Sequence, residues 1–216
     1  MNLSESTVLV TGGAVRIGRA IVESLYSKGC TVVLHYRHSG AEAEELVDEL
    51  GERILPVQGD LDSHEGCVRL FREAEAASGG IDVLVNNASI YRREAFRDIT
   101  ERTMLEMLRV NLIAPVILTR ELHRKLSDVN EERRLSAKVV NIVDTKIRGH
   151  EQGCLPYLVS KMALAEVTAD LAVELAPRIT VNAVAPGAIL PPSGENLYGK
   201  EGSAKGSSAI VRECGV

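Results

Sequence analysis

Tyr157 and Lys161, four residues apart in the run LPYLVSKMAL, are residue types and a spacing from which a proton donor can be built. On a helix such a pair shares one face. The ammonium can then stabilise the phenolate and lower the phenol pKa, which makes the tyrosine a usable acid near neutrality. Taken alone, the pattern also fits any surface helix, and a motif gains meaning only from its context. Asp144 adds a carboxyl at the end of the apolar run VVNIV, ahead of this segment. An anionic Asp144 next to Tyr157 would raise the phenol pKa and oppose Lys161, so the two groups are expected to titrate together.

A second group of residues suits a nucleotide. TGGAVRIG, Thr11 to Gly18, follows an apolar run and opens a helical pattern. Gly12 suits a tight turn, Gly18 permits close packing of the helix, and the helix N-terminus offers amides and its positive dipole end to a diphosphate. Arg16 stands where the usual dinucleotide fingerprint has its middle glycine, with Ile17 beside it. After the next apolar run come His35, Tyr36, Arg37, His38 and Ser39, with no carboxylate among them. A carboxylate there would bind a ribose 2'-hydroxyl and repel a 2'-phosphate, whereas Arg16 and Arg37 can hold a phosphate by charge-assisted hydrogen bonds. The pattern therefore favours NADP(H) over NAD(H). Asp60, ending a third run, either hydrogen-bonds adenine or caps the helix that follows.

These residues are positioned by alternating strands and helices. Strands are expected at Ser6–Thr11, Thr31–Tyr36, Ile54–Asp60, Ile81–Ala88, Lys138–Val143 and Ile179–Pro186. Helices are expected from Arg16 towards Gly29 and over Ala41–Leu50, Ser63–Ala77, Thr100–Leu126 (bent near Pro115) and Leu158–Ala176. Continuous apolar strands between helices argue an α/β, doubly wound parallel sheet covered on both faces. Ser127–Ala137 reads as a charged surface connector. Residues 1–187 read as one domain, while 188–216, rich in glycine and without periodicity until a short SAIVREC, read as loop or irregular tail with no final strand.

The chain has 216 residues, 45% of them hydrophobic, and a net charge of -5, enough for one sizeable core. Its basic residues are dispersed, so no nucleic acid is expected. Cys30, Cys67, Cys154 and Cys214 are scattered, which suggests neither a zinc site nor a disulfide framework. No signal-like segment and no run of about 18 apolar residues is present, so a cytoplasmic protein with no membrane contact is expected.

The combination of TGxxxRxG, the NNA of Asn86 to Ala88, Asn111, the Tyr157/Lys161 pair and the PG of Pro186 and Gly187 resembles the short-chain dehydrogenases/reductases, over about residues 6 to 190. Arg16 in the glycine turn, the HYRHS segment and Asp144 in place of a catalytic serine are similar to pteridine and dihydromonapterin reductases. The resemblance implies a Rossmann-like sheet in the order 3-2-1-4-5-6 and an NADPH-dependent reduction of a dihydropteridine, with a 3-oxoacyl-type carbonyl reductase or a chain that binds NADP(H) without turnover as alternatives. It implies that Asn86 and Ala88 line the ribose and adenine side, that Asn111 holds a water relay behind Lys161, and that Lys161 binds the nicotinamide ribose while depressing the Tyr157 pKa. Tyr157 then donates the proton, Ser89 touches pterin and phosphate, Tyr91 stacks the pterin on the nicotinamide, and Pro186 and Gly187 shape the carboxamide pocket. Ile17, Leu61 and Asn87 are further cofactor contacts by the same resemblance, and Arg16 also contacts substrate. A carboxyl at 144 suits an aminopyrimidine ring better than a ketone, its alternative role being that of a strand-end Asp accepting backbone amides. A homodimer or homotetramer through the two long helices is implied.

Overall fold

The computed structural model describes residues 2–127, 137–149, 151–187 and 210–211. Six parallel strands, β1 (Thr7–Val10), β2 (Thr31–Tyr36), β3 (Ile54–Gln58), β4 (Val83–Asn86), β5 (Ala137–Ile142) and β6 (Ile179–Ala185), form a sheet in the order β3-β2-β1-β4-β5-β6. This is the expected Rossmann-like order, with β1 at the point where the direction of winding reverses. The expectation of no final strand is corrected: a two-residue β7 (Ile210–Val211) pairs antiparallel with Val184 and Ala185 of β6. The rest of the expected tail, 188–209 and 212–216, and 128–136 of the charged connector lie outside the described residues.

Strand alternation divides the core in two, since successive side chains point to opposite faces. Leu9, Val33, Leu84, Val139 and Val181 point to the face covered by α3 (His64–Ser78) and α5 (Ala114–Ser127). Val8, Val10, Val32, Leu34, Val83 and Val85 point to the face covered by α1 (Arg16–Ser27) and α2 (Gly40–Leu50). Each fully buried Val or Leu side chain contributes about 1.5–3 kcal/mol relative to exposure, so this pattern dominates the stability of the sheet. Pro56 lacks an N–H and sits on the edge strand β3, where a missing ladder bond is tolerated. Helix ends follow local chemistry: Ser63 Oγ accepts the Gly66 N–H at 3.0 Å to start α3, and Gly79, at φ 80, ends it.

Two helices differ from expectation where the site lies. The long helix is α4 (Glu101–Leu108) joined to α5 through a π-helical turn, Arg109–Ile113, so the distortion precedes Pro115 and contains Asn111. Pro115 has no N–H to give the carbonyl four residues back, that of Asn111, and the Ala114 N–H bonds Arg109 O instead, the longer π spacing. The helix α6 (Leu155–Glu174) begins earlier than its apolar periodicity suggests, because Pro156 is preorganised for a first helical turn. Tyr157 therefore lies inside it.

Candidate active site

The glycine turn joins β1 to α1 at the carboxyl edge of the sheet. Gly12 has φ +64, and a Cβ there would meet Ala88 Cα at 3.1 Å; a Cβ on Gly18 would stand 2.0 Å from Gly12 O and 2.8 Å from Asn87 Nδ2. Arg16 takes φ 56, the left-handed conformation that its glycine counterpart would adopt without strain. Asn87 Nδ2 donates to Thr11 O (2.9 Å) and Gly12 O (3.0 Å), and Thr11 Oγ1 accepts the N–H groups of Asn87 and Ala88, both at 3.0 Å. The end of β4 thus holds the turn. Asn86, expected on the ribose side, instead points into the core: its Nδ2 donates to Asn141 Oδ1 at 2.8 Å, and Asn141 Nδ2 donates to Thr168 on α6 at 2.9 Å. Strand alternation at the end of β4 gives the two asparagines opposite directions.

His35 is also not a surface contact for a phosphate. It is 2% exposed, its Nδ1 accepts the Gly12 N–H at 3.1 Å, and its Nε2 lies 3.3 Å from Gly59 O. A neutral ring accepting at Nδ1 carries its proton on Nε2, which then donates to Gly59. Burial lowers its pKa from 6.5 to about 4, outweighing the Gly59 carbonyl and Asp60, which act in the opposite direction. Gly13 N–H donates to His35 O at 2.9 Å as well. His35 therefore binds the glycine turn to the ends of β2 and β3.

A cleft of 350 Å³ opens along this edge, lined by Gly12, Arg16, Ile17, Gly18, His35, Arg37, Asp60, Leu61, Asn87, Ala88 and Ser89, among others. It brings together most of the residues expected at a cofactor. Arg37 Nη2 and Asp60 Oδ2, both about half exposed, are 2.9 Å apart at the lining of this cleft. Asp60 does not cap α3, since Ser63 does; its Oδ1 accepts the Asp62 N–H at 3.0 Å. Tyr36 packs partly buried beside the α1/α2 core, and Ser39 precedes α2 without a side-chain capping bond, so neither lines the cleft.

The second half of the site lies beyond β4 and β5. Tyr157 OH donates to Asp144 Oδ2 at 2.7 Å, and Asp144 Oδ1 accepts the Lys146 N–H at 2.8 Å, which fixes the carboxyl plane. The backbone-amide role expected of a strand-end Asp is thus present on one oxygen, while the other oxygen meets Tyr157. Lys161, 2% exposed, donates from Nζ to Ile142 O at 2.7 Å. The expected depression of the Tyr157 pKa is not found: burial pushes the phenol well up, and the hydrogen bond and charge of Asp144 push the same way. Burial also lowers the Lys161 pKa to about 8, against the opposing effect of Asp144.

Asn111 is fully buried and clamps the backbone of Ile90, accepting its N–H at 2.7 Å and donating to its carbonyl at 2.9 Å, while a further donation reaches Ser160 Oγ at 3.0 Å. Ser160 in turn donates to Tyr157 O at 2.7 Å. Asn111 therefore ties the loop after β4 to the turn of α6 that carries Tyr157. Ser89 Oγ donates to Asn111 Oδ1 at 3.2 Å. Tyr91 stands edge-on to Tyr157, ring centres 4.9 Å apart, with its OH 3.4 Å from Cys154 Sγ and accepting from Arg93 Nε at 3.0 Å. Pro186 O accepts the Thr145 N–H at 3.2 Å, placing the Pro186–Gly187 turn beside the end of β5. Sequence reasoning missed Thr11, Ser160, Cys154 and Arg93; only Thr11, a β-branched hydroxyl before the glycines, carried a local signal.

Fold and site together define a dinucleotide-dependent oxidoreductase of the Rossmann type. A model of the short chain dehydrogenase family matches residues 6–201. Pteridine reductase 1 of Leishmania tarentolae is 34% identical over 221 residues, 85% of this chain and 76% of that protein. The 3-oxoacyl-(acyl-carrier-protein) reductase FabG of Aquifex aeolicus is 36% identical over 193 residues, 88% of this chain and 76% of that protein. The crystal structure of FolM alternative dihydrofolate reductase 1 from Brucella canis, complexed with NADP, superposes with a TM-score of 0.80 at 36% identity, covering 89% of this chain and 77% of that one. The chain belongs to the short chain dehydrogenase family.

Proposed function

We propose that this protein uses NADPH to reduce a dihydropteridine, of the dihydromonapterin, dihydrobiopterin or dihydrofolate type, to its tetrahydro form. The observation that carries the reading is the Asp144 carboxyl, 2.7 Å from Tyr157 OH, where a carbonyl reductase of the family has a serine. The cleft fits the cofactor: glycine at 12 and 18 lets the turn close tightly against Ala88, Asn87 and its own carbonyl where a Cβ would collide, the first turn of α1 offers amides, and Arg16 and Arg37 supply charge for a 2'-phosphate. Arg37 would exchange Asp60 for that phosphate, leaving Asp60 to the adenine edge. Asn87, Ala88, Ser89, Lys161, Pro186 and Gly187 would hold the remainder of the cofactor, whose nicotinamide supplies the hydride.

The chain's own residues do the rest. Tyr157 stays protonated because its phenol is buried beside Asp144, so the proton is present until substrate draws it. Asp144, its plane set by the Lys146 amide, accepts hydrogen bonds from the aminopyrimidine ring, and Tyr157 delivers its proton to the reacting end. Tyr91 provides a ring face at the lip, and Asn111 holds that loop and α6 in register. Leu105, Ile113, Leu155 and Met162 are exposed on the two long helices, in support of a homodimer or homotetramer. A reducing cytoplasm suits the buried free thiols of Cys30, Cys67 and Cys154.

The similarity to FabG favours a second reading, reduction of a 3-oxoacyl carbonyl. Steady-state NADPH oxidation against dihydropterins, dihydrofolate and 3-oxoacyl compounds separates the two, and Asp144→Ser retaining full dihydropterin activity would overturn the first. Binding of NADPH without oxidation by any of these substrates would leave a cofactor-binding chain without turnover.

A further inference from the structure

A charged cluster lies at the lip of the substrate side, on side-chain charges that no step above uses. Glu151 sits between two cations, paired with Arg93 through one carboxylate oxygen and with Lys146 Nζ through the other at 2.6 Å. Both cations lie beside Tyr91. Arg93 Nε donates to Tyr91 OH at 3.0 Å, and Lys146 Nζ lies 5.7 Å from the Tyr91 ring centre. Tyr91 in turn packs edge-on against Tyr157, and the Lys146 backbone N–H bonds Asp144. The Glu151 side chain is 26% exposed, against 64% for Arg93 and 42% for Lys146, so the carboxylate is the inner member and the cations face outward. Hydrogen bonding from Lys146 holds the Glu151 carboxyl below its ordinary value, as expected of an anion fitted between two donors.

Resting on the pteridine reading above, we propose that Arg93 and Lys146 form a subsite for an anionic group on the substrate's side chain, a carboxylate or a phosphate, and that Glu151 fills this subsite in the free enzyme. A heterocycle lying against Tyr91 and Asp144 would direct the substituent at its far end past the Tyr91 hydroxyl, to where the two cations meet. A carboxylate or phosphate there replaces Glu151 and takes the same charge-assisted hydrogen bonds. The subsite selects N-heterocycles with an acidic side chain over those with a neutral polyol.

The test is steady-state kinetics of the full chain with NADPH on dihydrofolate (carboxylates), dihydroneopterin phosphate (phosphate) and dihydrobiopterin (neutral), comparing wild type with Arg93→Gln, Lys146→Gln and Glu151→Gln. Loss of the Lys146 ammonium is expected to raise KM for an anionic substrate about fivefold, the scale of a partly exposed ion pair, and to move the neutral KM by less than about twofold; Arg93→Gln, which also frees the Tyr91 hydroxyl, is expected to raise the anionic KM by more than the neutral one. Glu151→Gln, which removes the internal competitor, is expected to lower KM for the anionic substrate. An effect confined to dihydrofolate identifies a carboxylate subsite, and one confined to dihydroneopterin phosphate a phosphate subsite. Equal losses of kcat on all three substrates would show that the cluster only ties two loops together, and would overturn the proposal, as would a Glu151→Gln variant with raised KM for both anionic substrates. Wild-type enzyme that reduces none of the three would instead overturn the pteridine reading itself.

Discussion

Acidification should cost this protein stability through His35 in a way that a single substitution removes. The imidazole is buried, accepts from Gly12 at Nδ1 and faces Gly59 O at Nε2, so the folded state holds it neutral. Its pKa falls from 6.5 to about 4. Below 6.5 the unfolded chain takes up a proton that the folded chain refuses until about pH 4. The stabilisation is therefore complete above 6.5 and is lost as pH falls through this window. A shift of about 2.5 units at 1.36 kcal/mol each corresponds to about 3 kcal/mol, a sizeable part of the total stability of a typical domain. His35→Gln keeps an acceptor and a donor on an uncharged side chain, and the other titrating groups are common to both proteins. Urea unfolding at pH 7.5, 6.5, 5.5 and 4.5 should therefore show the wild type losing about 1 kcal/mol more per pH unit than the variant below 6.5. Parallel stability curves for the two proteins would refute the assignment of His35 as a buried neutral bridge.

Three further outcomes follow from the site. Gly18→Ala places a methyl 2.0 Å from Gly12 O, and should abolish NADPH binding measured by fluorescence titration while lowering unfolding stability by roughly 1–3 kcal/mol. Arg37→Asp should weaken NADPH binding about tenfold or more and leave NADH binding within about twofold; its effect on stability should be under about 1 kcal/mol, because the Arg37–Asp60 pair is half exposed. Asp144→Asn keeps the shape but removes the charge next to Tyr157, and should reduce dihydropterin turnover about 100-fold with NADPH affinity nearly unchanged, as read from kcat and from cofactor titration.

Much of this protein could be read from local pattern. β-branched runs alternating with amphipathic segments made the parallel sheet legible, because strand and helix periods are properties of neighbouring residues. Gly12 and Gly18 were legible because only glycine meets their conformational and steric demands, and the four-residue spacing of Tyr157 and Lys161 because a helix alone puts them on one side. Pro156 and the helix it opens at Leu155 could have been read in the same way.

Tertiary structure decided what depends on neighbours distant in sequence. Asn86 and Asn87 are identical and adjacent, yet strand alternation sends one into the core towards Asn141 and the other to the glycine turn. His35 looked like part of a phosphate cluster, and became a bridge because β2 lies between β1 and β3. Asn111 clamps Ile90 because the π turn before Pro115 aims it at the loop after β4. The direction of the Tyr157 shift could not be read from spacing at all, since desolvation is set by everything packed around the phenol, and here Asp144 pushes the same way. The sequence by itself determined which side chains are available and which local turns carry them. Only the packed sheet, by fixing distance and burial, decided which of them meet and in which protonation state they work.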